Sequence, residues 1–432
     1  MNRSSSSRLA SSRFAARLLT TASAGLLAIA VATGQTAAPP KPATPATSQS
    51  KAAPAKATQA KAAPAKSAAA TTASGDKVPM VEDVFRNVKV LKGIPVSQFM
   101  DTMGFFSAAT GMNCTGCHTP ESLQDVAHFA DDVPRKVIAR QMVLMVNNFN
   151  KSGFGGRQAV TCWTCHHGSQ APESIPSLMA QYTVPEEDAN SIEIVPDGPT
   201  EPTAEQTLNK YLQALGSAQK LAALTSITAK GTYEGYDTYH MKVPVEIYAK
   251  APGQRSIVVH TQNGDSTTTF DGKSGWVAAA DKPVRLLALL PGAELDGARF
   301  DANLAFPGGI KQALTQWKVG FPVTTINDRT VNIVQGTGAG GSRIKLYFDE
   351  ENGLLTRQVR YSPTIIGTVP LQIDYSDYRD VAGVKMPYGI VITWTGGQSK
   401  ILLTDIQPNV AIDAARFAKP APAVVKSFGK AR

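Results

Sequence analysis

The four cysteines of this chain form two short strings in which a histidine directly follows the second cysteine. The first string is Cys114-Thr115-Gly116-Cys117-His118 and the second string is Cys162-Trp163-Thr164-Cys165-His166. This spacing is typical of covalent haem c attachment, in which two thiols form thioethers with the vinyl groups of one porphyrin. The histidine then binds the iron from one side, so we predict His118 and His166 as proximal ligands and two haem c groups per chain.

Two Cys-x-x-Cys pairs are also the signature of a four-cysteine zinc site, and a single pair can be a redox dithiol. The chain has only six histidines in 432 residues, so a histidine after both pairs would rarely occur by chance. The sequence therefore favours haem over zinc. It also leaves no cysteine for a structural disulfide, because the strings use all four.

A sixth iron ligand has to come from another element, and a helix is predicted before each string. The first covers about residues 96–110, and the second opens with Asp131-Asp132-Val133-Pro134, a capping residue followed by an early proline. Each predicted helix places a methionine among apolar residues on one face. These faces are Phe99, Met103, Phe106 and Thr110 in the first, and Ile138, Met142, Met145 and Phe149 in the second.

The thioether of methionine favours ferrous iron, so methionine ligands would raise the reduction potential of the haems. Methionine on an apolar helix face more commonly packs in a core, and that alternative stays open. Among the other histidines, His128 is the rival axial ligand. His167 is too close to a proximal ligand, and His240 and His260 fall in the strand-rich part of the chain.

The N-terminus is predicted to be an export signal over residues 1–34. Four arginines precede an apolar run over residues 18–34, and small residues follow it. We therefore predict a periplasmic protein, with an uncleaved segment attached to the inner membrane as the alternative. No other segment is apolar for long enough to cross a membrane.

The chain carries 43 Lys and Arg against 34 Asp and Glu, a formal charge of +9. Ten of these basic residues and one acidic residue lie in residues 1–79, which leaves 33 of each sign in the remainder. The excess charge therefore belongs to the N-terminal region, and the rest of the chain gives no indication of a nucleic-acid partner.

Composition divides the remainder of the chain into five segments. Residues 35–79 are rich in Ala, Pro and Lys and are predicted to be a disordered tether. Residues 80–183 have helical patterns and contain both strings, and residues 184–203 form a Pro-rich acidic linker. Residues 204–418 alternate as strands do, and residues 419–432 are a disordered tail. The predicted fold is multidomain, a mostly helical dihaem domain followed by an α+β antiparallel domain resembling a half-barrel.

Within residues 204–418 we predict a helix over about 204–223, a short helix near 309–316, and about ten strands. Alternating apolar residues mark three of the strands, namely Val243, Val245 and Ile247, then Ile344, Leu346 and Phe348, then Ile390, Ile392 and Trp394. Turn pairs separate them, namely Asp271-Gly272, Asn352-Gly353 and Gly396-Gly397.

Five pieces around the strings resemble the cytochrome subunit of photosynthetic reaction centres, over about residues 82–176. They are NVKVLKGI (87–94), FMDTM (99–103), FADD (129–132), ARQMVLM (139–145) and VTCWTCH (160–166). The resemblance implies an exported helical cytochrome that passes electrons to a membrane-bound pigment. It also implies Met103 and Met142 as the distal ligands of the first and second haem, with Met145 as the fallback for Met142.

The chain departs from that family in three ways. The family typically carries four haems in two pairs, whereas this chain has one pair. The family's histidine between the second helix and its string has no counterpart in residues 153–160. An unrelated β-rich region follows in place of the second half. The resemblance therefore implies haem binding and electron transfer more strongly than a photosynthetic partner.

Residues 204–418 loosely resemble the periplasmic lipoprotein-carrier fold, a curved antiparallel sheet that cups a helix. The resemblance is carried by YAKAPG (248–253), FDGKSGW (270–276) and YRDVAGVKMP (378–387). It implies a concave face that binds an acyl chain or a hydrophobic partner segment. A rigid docking or spacer module is the alternative.

We predict an electron carrier between a protein donor and a protein acceptor, with a membrane-bound redox complex as a partner class and without enzymatic activity. Two alternatives stay open. One is a dihaem redox enzyme such as a peroxidase, in which one iron keeps an open site. The other is a lipid-binding or protein-binding β domain that the haems regulate.

Overall fold

The computed structural model describes residues 77–176, 188–190, 202–280, 287–319 and 324–424. The predicted export signal, nearly all of the predicted tether and most of the predicted linker lie outside these residues. Within the described residues, no helix is both long and apolar enough to cross a membrane.

The helical part of the chain lies between residues 81 and 166. Its helices are α1 Val81–Val84, α2 Val96–Thr110, α3 Cys114–Cys117, α4 Pro134–Gly153 and α5 Cys162–His166. The predicted helix over 96–110 coincides with α2, which ends at Gly111 with a left-handed φ of 66° that suits glycine. The second predicted helix is α4, but the predicted capping by an aspartate is wrong. The N-cap of α4 is Val133, whose side chain makes no capping hydrogen bond.

The rest of the chain is dominated by one antiparallel sheet of 14 strands among the described residues. They are β1 Ser226–Gly235, β2 Val243–Lys250, β3 Gln254–Thr261, β4 Gly264–Phe270, β5 Gly275–Ala278, β6 Leu287–Leu289, β7 Thr315–Val319, β8 Thr324–Ile326, β9 Arg329–Thr337, β10 Arg343–Asp349, β11 Leu355–Pro363, β12 Thr368–Val381, β13 Val384–Trp394 and β14 Gly397–Pro408. The prediction of about ten strands was too low, while the antiparallel class is confirmed.

The strands follow one another mostly as hairpins. The order across the sheet is β6-β5-β4-β3-β2-β1-β14-β13-β12-β11-β10-β9-β7, and β8 pairs with β9. The three predicted turn pairs lie between β4 and β5, β10 and β11, and β13 and β14, where glycine tolerates the turn backbone. Because β1 pairs with both β2 and β14, the first and last strands meet in the middle of the sheet.

In the part of the chain that the structure describes, four α-helices accompany the sheet: α6 Ala204–Leu215, α7 Ala218–Ala222, α8 Gly292–Leu304 and α9 Ile310–Ala313. The single helix predicted over 204–223 is wrong, because Gly216, with φ 156°, separates α6 from α7. A Cβ at Gly216 would lie 2.6 Å from the Gly383 carbonyl oxygen, so the chain breaks where it touches the β12–β13 turn. The short predicted helix corresponds to α9, and α8 was not predicted.

The main core lies between these helices and the sheet. Leu208, Tyr211 and Leu215 of α6 and Phe300 of α8 pack in one buried cluster with the strands. The predicted inward residues of β2 and β10 are all buried in it, and Ile390 and Ile392 of β13 are half-buried against it. Each fully buried large apolar side chain stabilises the fold by about 1.5–3 kcal/mol.

A second apolar cluster joins the helical part to the sheet. Phe105 of α2, Val143 of α4 and Cys162 of the second string pack with Ile366 and Val369 of the β11–β12 hairpin. Polar contacts lie beside it. The Gln158 side-chain amide donates to the Thr364 carbonyl at 3.0 Å. Burial, together with the negative charge of Asp101 on α2, raises the pKa of Glu294 on α8 to about 8. Helices α2, α4 and α5 therefore share a core with the sheet.

Candidate functional site

Each cysteine string forms a single helical turn with a polar cap. The Oδ1 of Asn113 accepts a hydrogen bond from the Gly116 amide at 3.1 Å and begins α3. The hydroxyl of Thr161 accepts one from the Thr164 amide at 3.4 Å and begins α5. Because residues three apart in a helix are neighbours on its surface, the two thiols of each string lie on one side of their turn. Attachment of both thiols to one porphyrin requires this arrangement.

The backbones around the two strings are in direct contact. The Gly168 amide, two residues after the second string, donates to the Ala109 carbonyl at 2.9 Å. A Cβ at Gly111, three residues before the first string, would lie 2.3 Å from the Gly168 carbonyl oxygen. Both glycines have positive φ, so their identity permits an approach that a side chain would prevent. The sequence analysis missed this contact.

The two predicted proximal histidines differ in what surrounds their rings. The Nδ1 of His166 lies 3.0 Å from the Ser169 carbonyl oxygen, and with the proton on Nδ1 the lone pair of Nε2 is available to a metal. Burial, and then the positive charge of Lys136, lowers the pKa of His118. The ring of His118 stands edge-on to Phe129, with centroids 5.0 Å apart. A lowered pKa preserves the unprotonated form that binds iron.

Helix α4 contacts both α3 and α5, and its two faces differ in exposure. Val143, Val146 and Asn150 are buried. The predicted apolar face of Ile138, Met142, Met145 and Phe149 is instead between 39% and 55% exposed. An exposed apolar face of this kind indicates a surface that a partner or ligand covers. It lies on the helix that contacts both string helices.

The candidate axial ligands differ in their surroundings. Met103 is half-buried and packs against the cluster that joins α2 to the sheet. Met142 and Met145 both lie on the exposed face of α4. His128 is exposed, and its Nδ1 lies 2.8 Å from the Asp131 carboxylate. No three His, Cys, Asp or Glu side chains gather into a metal site within the described ranges.

Two polar side chains that the sequence analysis missed hold the loops beside the strings. The buried Asn150 of α4 donates to the Val160 carbonyl at 2.7 Å and accepts from the Ala159 and Val160 amides at 3.1 and 2.9 Å. It therefore fixes the segment that leads into the second string. The sequence could have indicated this role, because Asn150 is a polar residue on the buried face of an amphipathic helix.

The second side chain is Asp132, one of the two aspartates where the sequence places the cap of α4. Its carboxylate accepts from Arg140 at 2.6 Å, Lys89 at 3.1 Å and the Asn87 amide at 2.8 Å. The Asn87 amide also donates to the Ala130 carbonyl at 2.6 Å. This network ties the segment before α2 to the start of α4. Its members fall within three of the sequence pieces that carry the family resemblance.

The hydrogen bonds from Arg140 and Lys89 lower the pKa of Asp132 from 3.8 to about 2. A carboxyl whose folded pKa is lowered stabilises the fold above its ordinary pKa, and this contribution is lost as the pH falls through the folded pKa. We therefore expect Asp132→Asn to be less stable than the native chain at about pH 5 and equally stable near pH 2. Urea unfolding midpoints at four pH values between these limits measure the difference.

The exposed Glu173 gives the control for this experiment. Glu173→Gln should have the same urea unfolding midpoint as the native chain at each of these pH values. An Asp132→Asn difference that is the same at pH 5 and pH 2 would contradict the network's role.

Comparison with known proteins confirms the family resemblance. Residues 41–208 match the model of the family described as photosynthetic reaction centre cytochrome C subunit. The photosynthetic reaction center cytochrome c subunit of Rubrivivax gelatinosus is 33% identical over 109 residues, 24% of this chain and 28% of that protein. The subunit of Thermochromatium tepidum is 31% identical over 99 residues, 22% of this chain and 23% of that protein. The chain thus spans about a quarter of the length of these relatives.

Solved structures match about half of the chain at low identity. A LolA superfamily protein from Nitrosomonas europaea is 14% identical with a TM-score of 0.35, covering 50% of this chain and 98% of that protein. A DUF1329 family protein from Desulfovibrio piger is 11% identical with a TM-score of 0.36, covering 50% of this chain and 96% of that protein.

Proposed function

We propose that residues 80–183 form a c-type dihaem domain, with one haem c bound covalently by each string and with His118 and His166 as the proximal ligands. The capped helical turn at each string and the match of residues 41–208 to the cytochrome family support this. Haem c supplies an iron that takes up and releases one electron while covalently held. The observation that carries the proposal is α4, which touches both string helices and presents an exposed apolar face.

On the distal side we assign Met103 to the first haem and Met142 to the second. Met145 is the alternative to Met142, because it lies on the same exposed face of α4. His128 is the other alternative, and it would offer an imidazole instead of a thioether. Its ring already pairs with Asp131. A methionine on each distal side completes both coordination shells, which suits electron transfer rather than substrate binding.

The function that this arrangement supports best is electron transfer between a protein donor and a protein acceptor in the periplasm, without enzymatic activity. The hydrogen bond from the Gly168 amide to the Ala109 carbonyl holds the two strings near each other, which would favour electron exchange between haems bound to them. A membrane-bound redox complex is the partner class that we propose. Residues 1–34 are proposed as the export signal, either cleaved or retained as an inner-membrane anchor.

For residues 204–418 we propose a docking module, joined by the linker over 184–203. The side chains of α6 and α8 fill the face of the sheet that they cover. A hydrophobic ligand on that face would have to displace them, so a filled core favours the docking role over the lipid-binding alternative.

Optical spectra of the exported full-length protein test the proposal. We expect two haems per chain, a methionine–iron band at the red end of the oxidised spectrum, and no change when carbon monoxide is added to the reduced protein. A carbon monoxide shift in one haem would mean an open iron and would support the redox-enzyme alternative. A chain purified with zinc and no haem would overturn the proposal entirely.

A further inference from the structure

Helix α2, which carries Met103, touches the turn between β13 and β14 through a glycine. A Cβ built on Gly104 would lie 2.9 Å from the Thr395 hydroxyl oxygen and 3.2 Å from the Gly396 backbone nitrogen. Glycine weakens a helix interior relative to alanine. Its presence here is explained by the close approach of the turn. Gly104, which follows the proposed ligand Met103, therefore contacts the β13–β14 turn of the sheet.

The β11–β12 turn contacts Phe105, the residue that follows Gly104 in α2. The ring of Phe105 lies over Gly367, where an added Cβ would be 2.3 Å from the ring. The β11–β12 turn is itself rigid, because the Thr364 amide and hydroxyl both donate to the Gly367 carbonyl, at 2.8 and 2.7 Å. Phe105 is buried, and Met103 packs against the same apolar cluster.

We propose that the β-rich domain is a positioning element for the distal side of the first haem. Its β11–β12 and β13–β14 turns set the place of α2, so Gly104 and Gly367 are positioning residues for a bond between Met103 and iron. This inference rests on the proposed function, since it takes Met103 as the ligand. It explains why the helical part shares a core with the sheet instead of being joined to it by a linker alone.

Gly104→Ala tests the inference in the full-length protein. The added methyl group would push α2 away from the β13–β14 turn, and Met103 would move with its helix. We expect the affinity of the reduced iron for Met103 to fall about tenfold relative to that of the oxidised iron. This would lower the midpoint potential of one haem by about 59 mV, and the same haem should begin to bind carbon monoxide. The second haem should be unchanged.

Gly153→Ala is the matched control, because Gly153 ends α4 and an added Cβ there meets no atom within 4 Å. Both potentials should stay at their native values in this variant.

A rescue variant separates displacement of α2 from a general loss of structure. The Thr395 hydroxyl is buried and has no hydrogen-bond partner among the described residues. Gly104→Ala combined with Thr395→Ala should therefore recover much of the lost potential.

Gly367→Ala gives an independent second site, since its methyl group would meet the Phe105 ring. It should lower the potential of the same haem as Gly104→Ala does. Unchanged spectra and potentials in both variants, in a protein whose native form has two six-coordinate haems, would overturn the inference and leave the proposed function intact. A native protein without a methionine–iron band would instead count against the ligand assignment itself.

Discussion

Replacing Cys114 and Cys117 together by alanine is expected to reduce the haem content of the exported protein from two groups per chain to one. The thioethers hold the porphyrin covalently, and without them the first haem would depend on its axial ligands alone. The first string is a single helical turn, with Cys114 exposed and Cys117 half-buried. Haem quantification and the intact mass of the protein measure the loss.

Thr115→Ala is the matched control for this experiment, because it changes the same helical turn and keeps both thiols. Thr115 donates only to Asn113 outside the backbone, at 3.0 Å, and its loss should leave two haems per chain. The equivalent replacement of Cys162 and Cys165 should also leave one haem, with a further loss of stability because Cys162 is part of the buried cluster that joins α2 to the sheet. Two haems in either double variant would refute the attachment sites.

Met103→Ala and Met142→Ala are each expected to open one iron to carbon monoxide and to lower the potential of that haem. Loss of a thioether removes a ligand that favours ferrous iron, so the shift should be a measurable part of the roughly 0.8 V range that axial ligands cover. Redox titration resolves the two haems. The variants should affect different haems, because the methionines lie on different helices, α2 and α4.

Met145→Ala and His128→Ala separate the alternatives. Met145 lies one turn from Met142 on the same exposed face of α4. Only one of the two substitutions should therefore change the spectrum and potential of the second haem. If His128→Ala changes the spectrum of either haem, His128 is the distal ligand of that haem in place of the methionine. If the spectra of all four variants match the native protein, neither haem takes its distal ligand from these positions.

The close packing of the two parts of the chain bears on how the haems are held. Ile366 and Val369 of the sheet complete the cluster that contains Phe105, Val143 and Cys162. These three residues belong to α2, α4 and the second string. Removal of the β-rich region would therefore expose apolar surface on both helices that carry the proposed distal ligands.

Local patterns in the sequence predicted the elements that depend on neighbouring residues. Helices α2 and α4 follow from their apolar spacing, and α4 also from Pro134 at its start. The strand β2 follows from strict alternation, whereas β10 follows from Ile344, Leu346 and Phe348 although its other face is buried as well. The prediction failed where a distant contact decided the outcome. Gly216 splits a helix because it touches the β12–β13 turn, more than 160 residues away in the chain.

The same distinction applies to the candidate site. The proposed haem chemistry follows from the sequence, because two Cys-x-x-Cys-His strings form a haem attachment signal through spacing within five residues. What surrounds the strings became visible only in the fold. Asp132 binds Asn87 and Lys89 instead of capping a helix, Gly168 meets Gly111, and Gly104 meets the β13–β14 turn. These contacts join residues far apart in the chain, and they form because packing of the whole fold offsets the entropy of bringing them together.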